Sequence, residues 1–445
     1  MDHVSDALIS RPTPPKIEPL TATDLAMIDQ VRDALVSRAI QPPGWRDVDP
    51  EKRLRFFDEV RGVLIAQGGD RSSVNRRAQI VTDALSGVGL LDQLLRDPYV
   101  EEIFVRKGEV AVEYDGSFHY LGKLADDRYF EDLAIHVADQ GGATLRGDRP
   151  AVLIDLPNGE RFTAIVPRLS NEGTAINVRT FGRRIKTLEE MASVGTFKKG
   201  RRPLSGCLED VQDAKSRTRI EGLAHGPDRF LAWFVATLSG SLLVAGEMGS
   251  GKTTLLNALS SFLPETAPVA ALETFRELDL QHPFLLRAIA PAELPEGTPG
   301  VTLDWVLNVI YTRMNPAAVL VGEVVGPEAL QFLKATCLGR KAMTTIHGGT
   351  VEEALMRLEQ LALAAAPELG LPAIRSMVSM GVDVIALMGR TNRAGRVERS
   401  LQAIAVVNGL DEKGEYDLDF LYRTERERAN EIFGQAFQNL TGVNR

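Results

Sequence analysis

The sequence is poor in cysteine and in long apolar runs. Its 445 residues include only two cysteines, Cys207 and Cys337. A disulfide scaffold is therefore not expected, and a cytoplasmic location is expected. No stretch of 18 or more residues is both strongly apolar and free of charge, so no transmembrane segment is predicted. The first residues lack a basic start followed by an apolar block and do not resemble a secretory signal.

Positive charge in excess and metal-ligand spacing are also lacking. The formal net charge of −9 opposes a protein whose whole surface binds nucleic acid. His, Cys and acidic residues show no spacing typical of a structural zinc site. What is present is the composition of a globular protein, with 44% hydrophobic residues and a length that predicts two to three domains.

The first half of the chain divides into three predicted regions. Residues 1–20 are rich in proline and are predicted to be a disordered leader. Helical periodicity then predicts a small helical region over 21–98. Alternating apolar runs around the turn pairs Asp115-Gly116 and Asn158-Gly159 predict an α+β domain with an antiparallel sheet over 99–182.

Residues 183–229 are predicted to be a linker with a basic insertion. The segment carries many charged side chains and few apolar ones, which is typical of a solvated linker. The alternative is a contact surface for an acidic partner or anionic lipid. Its basic residues within 197–226 are Lys198, Lys199, Arg201, Arg202, Lys215, Arg217 and Arg219.

Residues 230–445 alternate short apolar runs with helical patterns. The runs "SLLVAGE", "VAALETF", "AAVLVGEV", "KAMTTIH" and "VDVIALM" predict parallel strands with crossover helices. The end of the chain, "ERERANEIFGQAFQNL", predicts a terminal helix. The fold class predicted for the whole chain is therefore α/β, with the smaller helical and α+β regions preceding this domain.

A phosphate-binding motif follows the first of these strands. "GEMGSGKT" fits the P-loop pattern, in which glycines let backbone N–H groups approach a phosphate chain that side chains would otherwise block. The lysine adds positive charge, Thr253 is placed to ligate Mg²⁺, and the following helix N-terminus favours an anion. The nucleotide-binding residues predicted from this pattern are Gly246, Gly249, Ser250, Gly251, Lys252, Thr253 and Thr254.

Acidic residues and a histidine follow three other predicted strands. Hydrolysis needs a carboxylate near the metal ion or the attacking water, and Glu323, Glu273 and Glu277 are candidates. His347 ends the strand "TTIH". Each residue alone also fits a structural role, as a solvated strand end or a packed histidine. Their joint occurrence after strands of one P-loop domain favours an active site.

From about Leu91 to Tyr422 the chain resembles the type II/IV secretion ATPase superfamily, and most of all its CpaF branch, the motors of Tad-type pilus assembly. "GEMGSGKTTLLNAL", "LETFREL", "AAVLVGEVVGPEAL" and "TTIHGGTVEEALMRLE" match the family's Walker A, Asp box, Walker B and histidine box in order. The resemblance implies a RecA-like ATPase that binds ATP and Mg²⁺. The catalytic residues it implies are Glu277, Glu323, His347, Arg313, Arg161 and Arg179.

The resemblance also implies a setting. It implies a homo-hexamer that is cytoplasmic and attached to the inner face of the membrane through inner-membrane platform proteins, without direct nucleic-acid binding. For each arginine alone, a surface salt bridge is an equally good interpretation.

Several family positions differ, among them Thr274 in place of an aspartate and Val325 in place of an arginine. These changes predict a divergent and slow ATPase. Two other functions stay open, a ring subunit that binds nucleotide without hydrolysing it and a RecA-like ATPase that depends on nucleic acid.

Overall fold

The computed structural model divides into two compact units, Met1–Arg184 and Ile185–Arg445. It describes residues 13–45, 49–68, 73–145, 150–156, 159–167, 173–180, 187–197, 208–223, 226–274, 276–290, 301–393 and 396–424, and at 393 and 396 only the backbone. Each unit combines helices with a sheet of its own. The predicted fold class is confirmed, with helices and an antiparallel sheet preceding a domain built on parallel strands.

The first unit begins with helices. The first two start at residues that stabilise helix ends: the Thr21 hydroxyl accepts a hydrogen bond from the Asp24 amide, and the Asp49 side chain accepts one from the Glu51 amide. The helices of this unit are α1 (Ala22–Ser37), α2 (Pro50–Ala66), α3 (Val74–Leu85), α4 (Leu91–Leu95) and α5 (Asp127–Gln140).

The sheet of the first unit has six antiparallel strands in the order β3-β2-β1-β6-β5-β4. A two-residue turn at Asp115 and Gly116, both with positive φ, joins the second strand to the third, as predicted. A hairpin also joins the fourth and fifth strands, although Asn158 lies outside the described residues. The strands are β1 (Val100–Arg106), β2 (Glu109–Tyr114), β3 (Ser117–Lys123), β4 (Ala151–Asp155), β5 (Arg161–Ile165) and β6 (Ala175–Arg179).

One hydrophobic core holds the first unit together. Side chains of the helices, such as Val60 and Phe130, pack in the same cluster as Ile103 and Phe162 of the sheet. The helical region and the α+β region predicted separately therefore share a core. Of the predicted disordered leader, residues 1–12 lie outside the described part. Residues 13–20 differ from the prediction of disorder, because Ile17 is buried in this core.

The second unit contains the predicted alternation of strands and helices. Its helices are α6 (Leu188–Ser193), α7 (Ala214–Glu221), α8 (Pro227–Ala236), α9 (Lys252–Ser260), α10 (Leu303–Val309), α11 (Glu328–Cys337), α12 (Val351–Ala365) and α13 (Gly370–Gly381). Its strands are β7 (Leu242–Gly246), β8 (Val269–Glu273), β9 (Leu285–Ile289), β10 (Ala318–Val321), β11 (Lys341–Ile346), β12 (Val384–Arg393), β13 (Arg396–Leu410) and β14 (Tyr416–Arg423).

These strands form one sheet in the order β14-β13-β12-β7-β11-β10-β8-β9. The five strands predicted to be parallel are parallel, and β9 extends them at one edge, while β13 and β14 add an antiparallel ribbon at the other. Leu242 and Val244 belong to a core on one face of the sheet, and Leu243 and Ala245 to a core on the opposite face. Burial on both faces explains why β7 is a continuous apolar run.

The segment predicted as an irregular linker differs from that prediction where it is described. It forms α6 and α7, and their side chains Leu188, Met191 and Ile220 are buried in the core of the second unit. Lys198, Lys199, Arg201 and Arg202 lie outside the described residues. So does the predicted terminal helix, which falls within 425–445.

Among the described helices, none is by itself both long enough and apolar enough to span a bilayer. One pair, Val351–Ala365 with Pro367–Gly381, meets that test only when its two members are joined, and they are bent by 106°.

Candidate functional site

The predicted P-loop connects β7 to α9 in the centre of the second sheet. Gly246, Gly249 and Gly251 all have positive φ angles, which residues other than glycine rarely adopt. A Cβ atom at Gly246 would lie only 2.4 Å from the carbonyl oxygen of Met388. The backbone path of the loop therefore requires glycine, as the phosphate-binding function predicts.

The loop fits a polyanionic ligand in two further respects. Ser250 is fully buried, and its hydroxyl has no hydrogen-bond partner among the described residues, although buried polar groups ordinarily have one. The loop leads directly into the first turn of α9, where N–H groups have no intrahelical partner. Thr253 and Thr254 lie in that turn and are partly buried. Glu247 is exposed, so its carboxylate is solvated.

Lys252 is folded back onto the loop. Only 7% of the residue is exposed, and its Nζ atom donates hydrogen bonds to the carbonyl oxygens of Gly246 at 3.0 Å and Glu247 at 3.3 Å. The same atom lies 3.3 Å from Nδ1 of His347 and 3.9 Å from Oε1 of Glu323. The ammonium group is thus held at the loop by contacts that a phosphate group can replace.

Glu323 and His347 lie side by side at the ends of neighbouring strands. Glu323 follows β10, His347 follows β11, and the two strands are parallel partners. Oε1 of Glu323 lies 2.9 Å from Nε2 of His347. The hydroxyl of Thr345 donates to the carbonyl oxygen of Gly322 at 2.7 Å and ties the two strand ends together. Glu323 and His347 therefore lie together at one edge of the sheet.

The two acidic residues near the end of β8 have different surroundings. Glu273 is 2% exposed, and its Oε1 accepts hydrogen bonds from the backbone N–H groups of Glu277 and Leu278 at 2.7 and 2.6 Å. Burial raises the pKa of Glu273 to about 7, against the opposing effect of these two N–H groups and of Arg287, whose Nη1 is 3.5 Å from Oε2. Glu273 therefore organises the loop that carries Glu277.

Glu277 is held near the P-loop helix through its backbone. Nδ2 of Asn257, in α9, donates to the Glu277 carbonyl oxygen at 3.3 Å, and Oδ1 of the same residue accepts from the Asp279 N–H at 3.0 Å. The Glu277 residue is partly buried. These contacts bring the predicted acidic loop against the helix that begins at Lys252.

Comparisons with known proteins identify the family of this chain. The family model "Type II/IV secretion system protein" matches residues 222–409. The type IV secretion system protein VirB11 of Brucella suis biovar 1 is 31% identical over 300 residues, which cover 65% of this chain and 81% of that protein. This chain belongs to the type II/IV secretion system protein family. The type IV secretion system protein PtlH of Bordetella pertussis is 32% identical over 270 residues, 57% of this chain and 73% of that protein.

Among solved structures, the chain is similar to the crystal structure of the VirB11 ATPase from the Brucella suis type IV secretion system in complex with sulphate. It is 27% identical, with a TM-score of 0.37, and the match covers 71% of this chain and 95% of that one. The family model's match includes the P-loop, Glu277, Arg313, Glu323 and His347, and it begins after Arg161 and Arg179. The narrower assignment to the CpaF branch stays a prediction.

The contacts described above do not include the three predicted arginines. Arg313 is exposed in a short π-helical turn, Ile310–Met314, and within the described residues no hydrogen bond or ion pair joins its side chain to the P-loop. Arg161 and Arg179 are directly opposite each other on β5 and β6 of the first unit. With Arg106 and others they line a cavity of about 290 Å³.

Sequence reasoning missed two arginines of this family protein that lie beside the P-loop. Nε of Arg399, on β13, donates to the carbonyl oxygen of Gly249 at 2.9 Å. Arg390, on β12, pairs with Arg399 across the ladder. The only signal was a basic stretch, "GRTNRAGRVER", directly after a predicted parallel strand.

Proposed function

We propose that this chain is an ATPase motor that hydrolyses ATP to drive pilus assembly of the Tad or type IV-like kind, or protein secretion of the type II/IV kind. The observation that carries the proposal is the contact of Lys252 with its own loop, with Glu323 and with His347. A phosphate-binding loop and a carboxylate–histidine pair within 4 Å of one ammonium group supply what phosphoryl transfer needs.

The P-loop residues would bind the phosphate chain. Gly246, Gly249 and Gly251 allow the loop amides to approach it, and Lys252 exchanges its carbonyl contacts for phosphate oxygens. The Ser250 hydroxyl would donate a hydrogen bond to a phosphate oxygen, and Thr254 would lie near the phosphates in the first turn of α9. The Thr253 hydroxyl would hold Mg²⁺, which when bound neutralises charge on the phosphate oxygens.

Glu323 would orient the attacking water and accept its proton. Its position after β10, which only β11 separates from the P-loop strand β7, suits this role, and His347 at 2.9 Å fixes the direction of the carboxylate. We propose Glu277 as a second acid of the site, because the backbone of its loop is bound to α9.

Arg161, Arg179 and Arg313 are proposed as cations that stabilise the phosphoryl charge, on the resemblance alone. A guanidinium group can bind phosphate oxygens in a bidentate manner.

The test is ATP turnover with Mg²⁺ by the purified protein. We expect saturable ATP hydrolysis that is abolished in Lys252→Ala, because the charge that binds the β- and γ-phosphates is lost. Lys334→Ala is the matched control, since Lys334 is an exposed lysine of α11. An equal loss of turnover in both variants, or a folded wild type without turnover at any protein concentration, would refute the ATPase proposal.

The cellular setting proposed here follows from the family. VirB11 and PtlH are named as type IV secretion system proteins, and their resemblance to this chain supports a role in such a machine. We propose a cytoplasmic homo-hexamer that reaches the inner face of the membrane through platform proteins. The specific assignment to Tad pilus assembly rests on the CpaF-like boxes of the sequence.

One observation favours a subunit that binds nucleotide and does not hydrolyse it. Val325, which replaces a family arginine two residues after Glu323, is 54% exposed and supplies no charge. Nucleotide binding without turnover, together with co-purification of a second ATPase, would select this alternative. A nucleic-acid-dependent ATPase is less well supported, because Arg217 and Arg219 of the basic segment hydrogen-bond to this chain itself.

A further inference from the structure

Arg390 and Arg399 lie beside the P-loop, on two strands that extend past the end of β7. The pairing of β12 with β7 ends at Met388 and Gly246, whereas the pairing of β12 with β13 continues to Arg393 and Arg396. The hairpin formed by these two strands therefore projects past the carboxyl end of β7, where the P-loop begins. Arg390 and Arg399 are opposite residues on this projection.

Both side chains lie next to the middle of the loop. Nε of Arg399 donates to the carbonyl oxygen of Gly249 at 2.9 Å. A Cβ atom on Gly249 would lie 3.3 Å from Nη1 of Arg390, and one on Gly251 would lie 3.7 Å from Cδ of Arg399. The absence of side chains at Gly249 and Gly251 thus leaves room for these two arginines beside the loop.

The hydrogen bond from Arg399 restricts the orientation of one peptide group. In a trans peptide the C=O and N–H groups point in opposite directions, so a fixed Gly249 carbonyl also fixes the Ser250 N–H. That N–H points to the carbonyl oxygen of Glu247 at 3.2 Å, the same oxygen that accepts from Nζ of Lys252. Glycine on either side of Ser250 would otherwise allow this peptide to rotate at little cost.

We propose that Arg399 is a positioning residue for nucleotide binding: by binding the Gly249 carbonyl it fixes the peptide group that carries the Ser250 amide, and it thereby stabilises the loop conformation around Lys252 to which the phosphates would bind. The neighbouring Arg390 adds positive charge without this anchoring contact. This inference rests on the proposed nucleotide-binding function.

The experiment compares the affinity of purified full-length protein for ADP by calorimetry. We expect Arg399→Ala to raise the Kd by about tenfold, the usual effect of losing one charge-assisted hydrogen bond. Arg399→Lys should recover part of this loss, since it keeps a charged donor. Arg390→Ala should raise the Kd by about twofold, and its effect should vanish at high salt because only screened charge is lost. Turnover with saturating ATP should fall less than the affinity does.

A second readout needs no nucleotide. Amide hydrogen exchange of the 246–252 segment should be faster in Arg399→Ala than in wild type, while the thermal midpoint of the nucleotide-free protein changes little. Equal Kd changes in Arg399→Ala and Arg390→Ala, or unchanged exchange, would overturn the inference. A wild type that binds ADP without hydrolysing ATP would refute the ATPase proposal and leave the Arg399 comparison valid.

Discussion

At the scale of single residues, Glu273 is the least expected feature of the candidate site. A buried carboxylate is unfavourable unless hydrogen bonds compensate for the lost hydration. Here two backbone N–H groups and Arg287 supply that compensation only in part, because the pKa remains raised. Glu273 also packs against the backbone next to Glu323, since a Cβ on Gly322 would lie 3.1 Å from its Cγ. Its protonation therefore bears on the packing of two strand ends.

The raised pKa predicts how stability depends on pH. Between about pH 4.5 and 7 the unfolded chain loses the Glu273 proton while the folded protein keeps it, so the free energy of unfolding falls as the pH rises. Glu273→Gln removes this contribution. The free energy of unfolding is measured with urea at pH 5 and at pH 8. From the lower to the higher pH it should fall by up to about 3 kcal/mol more in wild type than in the variant. An unchanged difference would show that the Glu273 pKa is ordinary.

The P-loop residues could be predicted from the sequence because they are contiguous and each has a separate chemical reason. The role of Glu273 could not, since its partners are backbone amides that become available only when residues 277–278 turn back toward β8. Arg399 was missed for a related reason. Its place beside Gly249 depends on the pairing of two strands, one of them irregular near Leu387. Sequence spacing does not record such a register.

At the scale of elements, α7 changes the interpretation of the basic segment. The guanidinium of Arg219 lies 4.2 Å from the centre of the Phe262 ring and donates to the carbonyl and hydroxyl oxygens of Ser261. Lys215 forms an exposed ion pair with Glu265. The charged side of α7 thus binds the residues that follow α9, the helix that begins at the P-loop.

Arg219→Ala should therefore lower the free energy of unfolding by about 1 kcal/mol, through the lost cation–π contact and hydrogen bonds. Lys215→Ala is the matched control and should change it by less than about 0.5 kcal/mol, as is usual for an exposed ion pair. Urea unfolding measures both. If Arg219→Ala were as stable as wild type and instead lost binding to anionic vesicles, the surface interpretation of this segment would be the correct one.

Elements were predictable where burial is complete on both faces. β7, β10 and most of β11 are apolar runs between turn signals, and their strand character is visible in the sequence. β9 was missed because it lies at the edge of the sheet and none of its five residues is buried. The short α6 and α7 have few apolar residues, and only contact with the core shows which of them are buried.

At the scale of the whole molecule, the chain has two units with separate cores, and the proposed cations are divided between them. Arg161 and Arg179 belong to the first unit, whereas Lys252 and Glu323 belong to the second. Arg313 is exposed on its own unit. The proposed role of these arginines requires that their guanidinium groups reach the phosphates when nucleotide is bound.

The proposed hexamer makes this requirement measurable. If assembly completes the site, ATP turnover per chain should rise with protein concentration and level off where mass determination in the presence of nucleotide shows six copies. Arg313→Ala should lower the plateau by at least tenfold without shifting the ADP affinity, because an exposed cation that acts on the transition state contributes little to ground-state binding. Arg128→Ala, an exposed arginine of α5, is the control. Turnover per chain that is constant from monomer to oligomer would show that each chain holds a complete site.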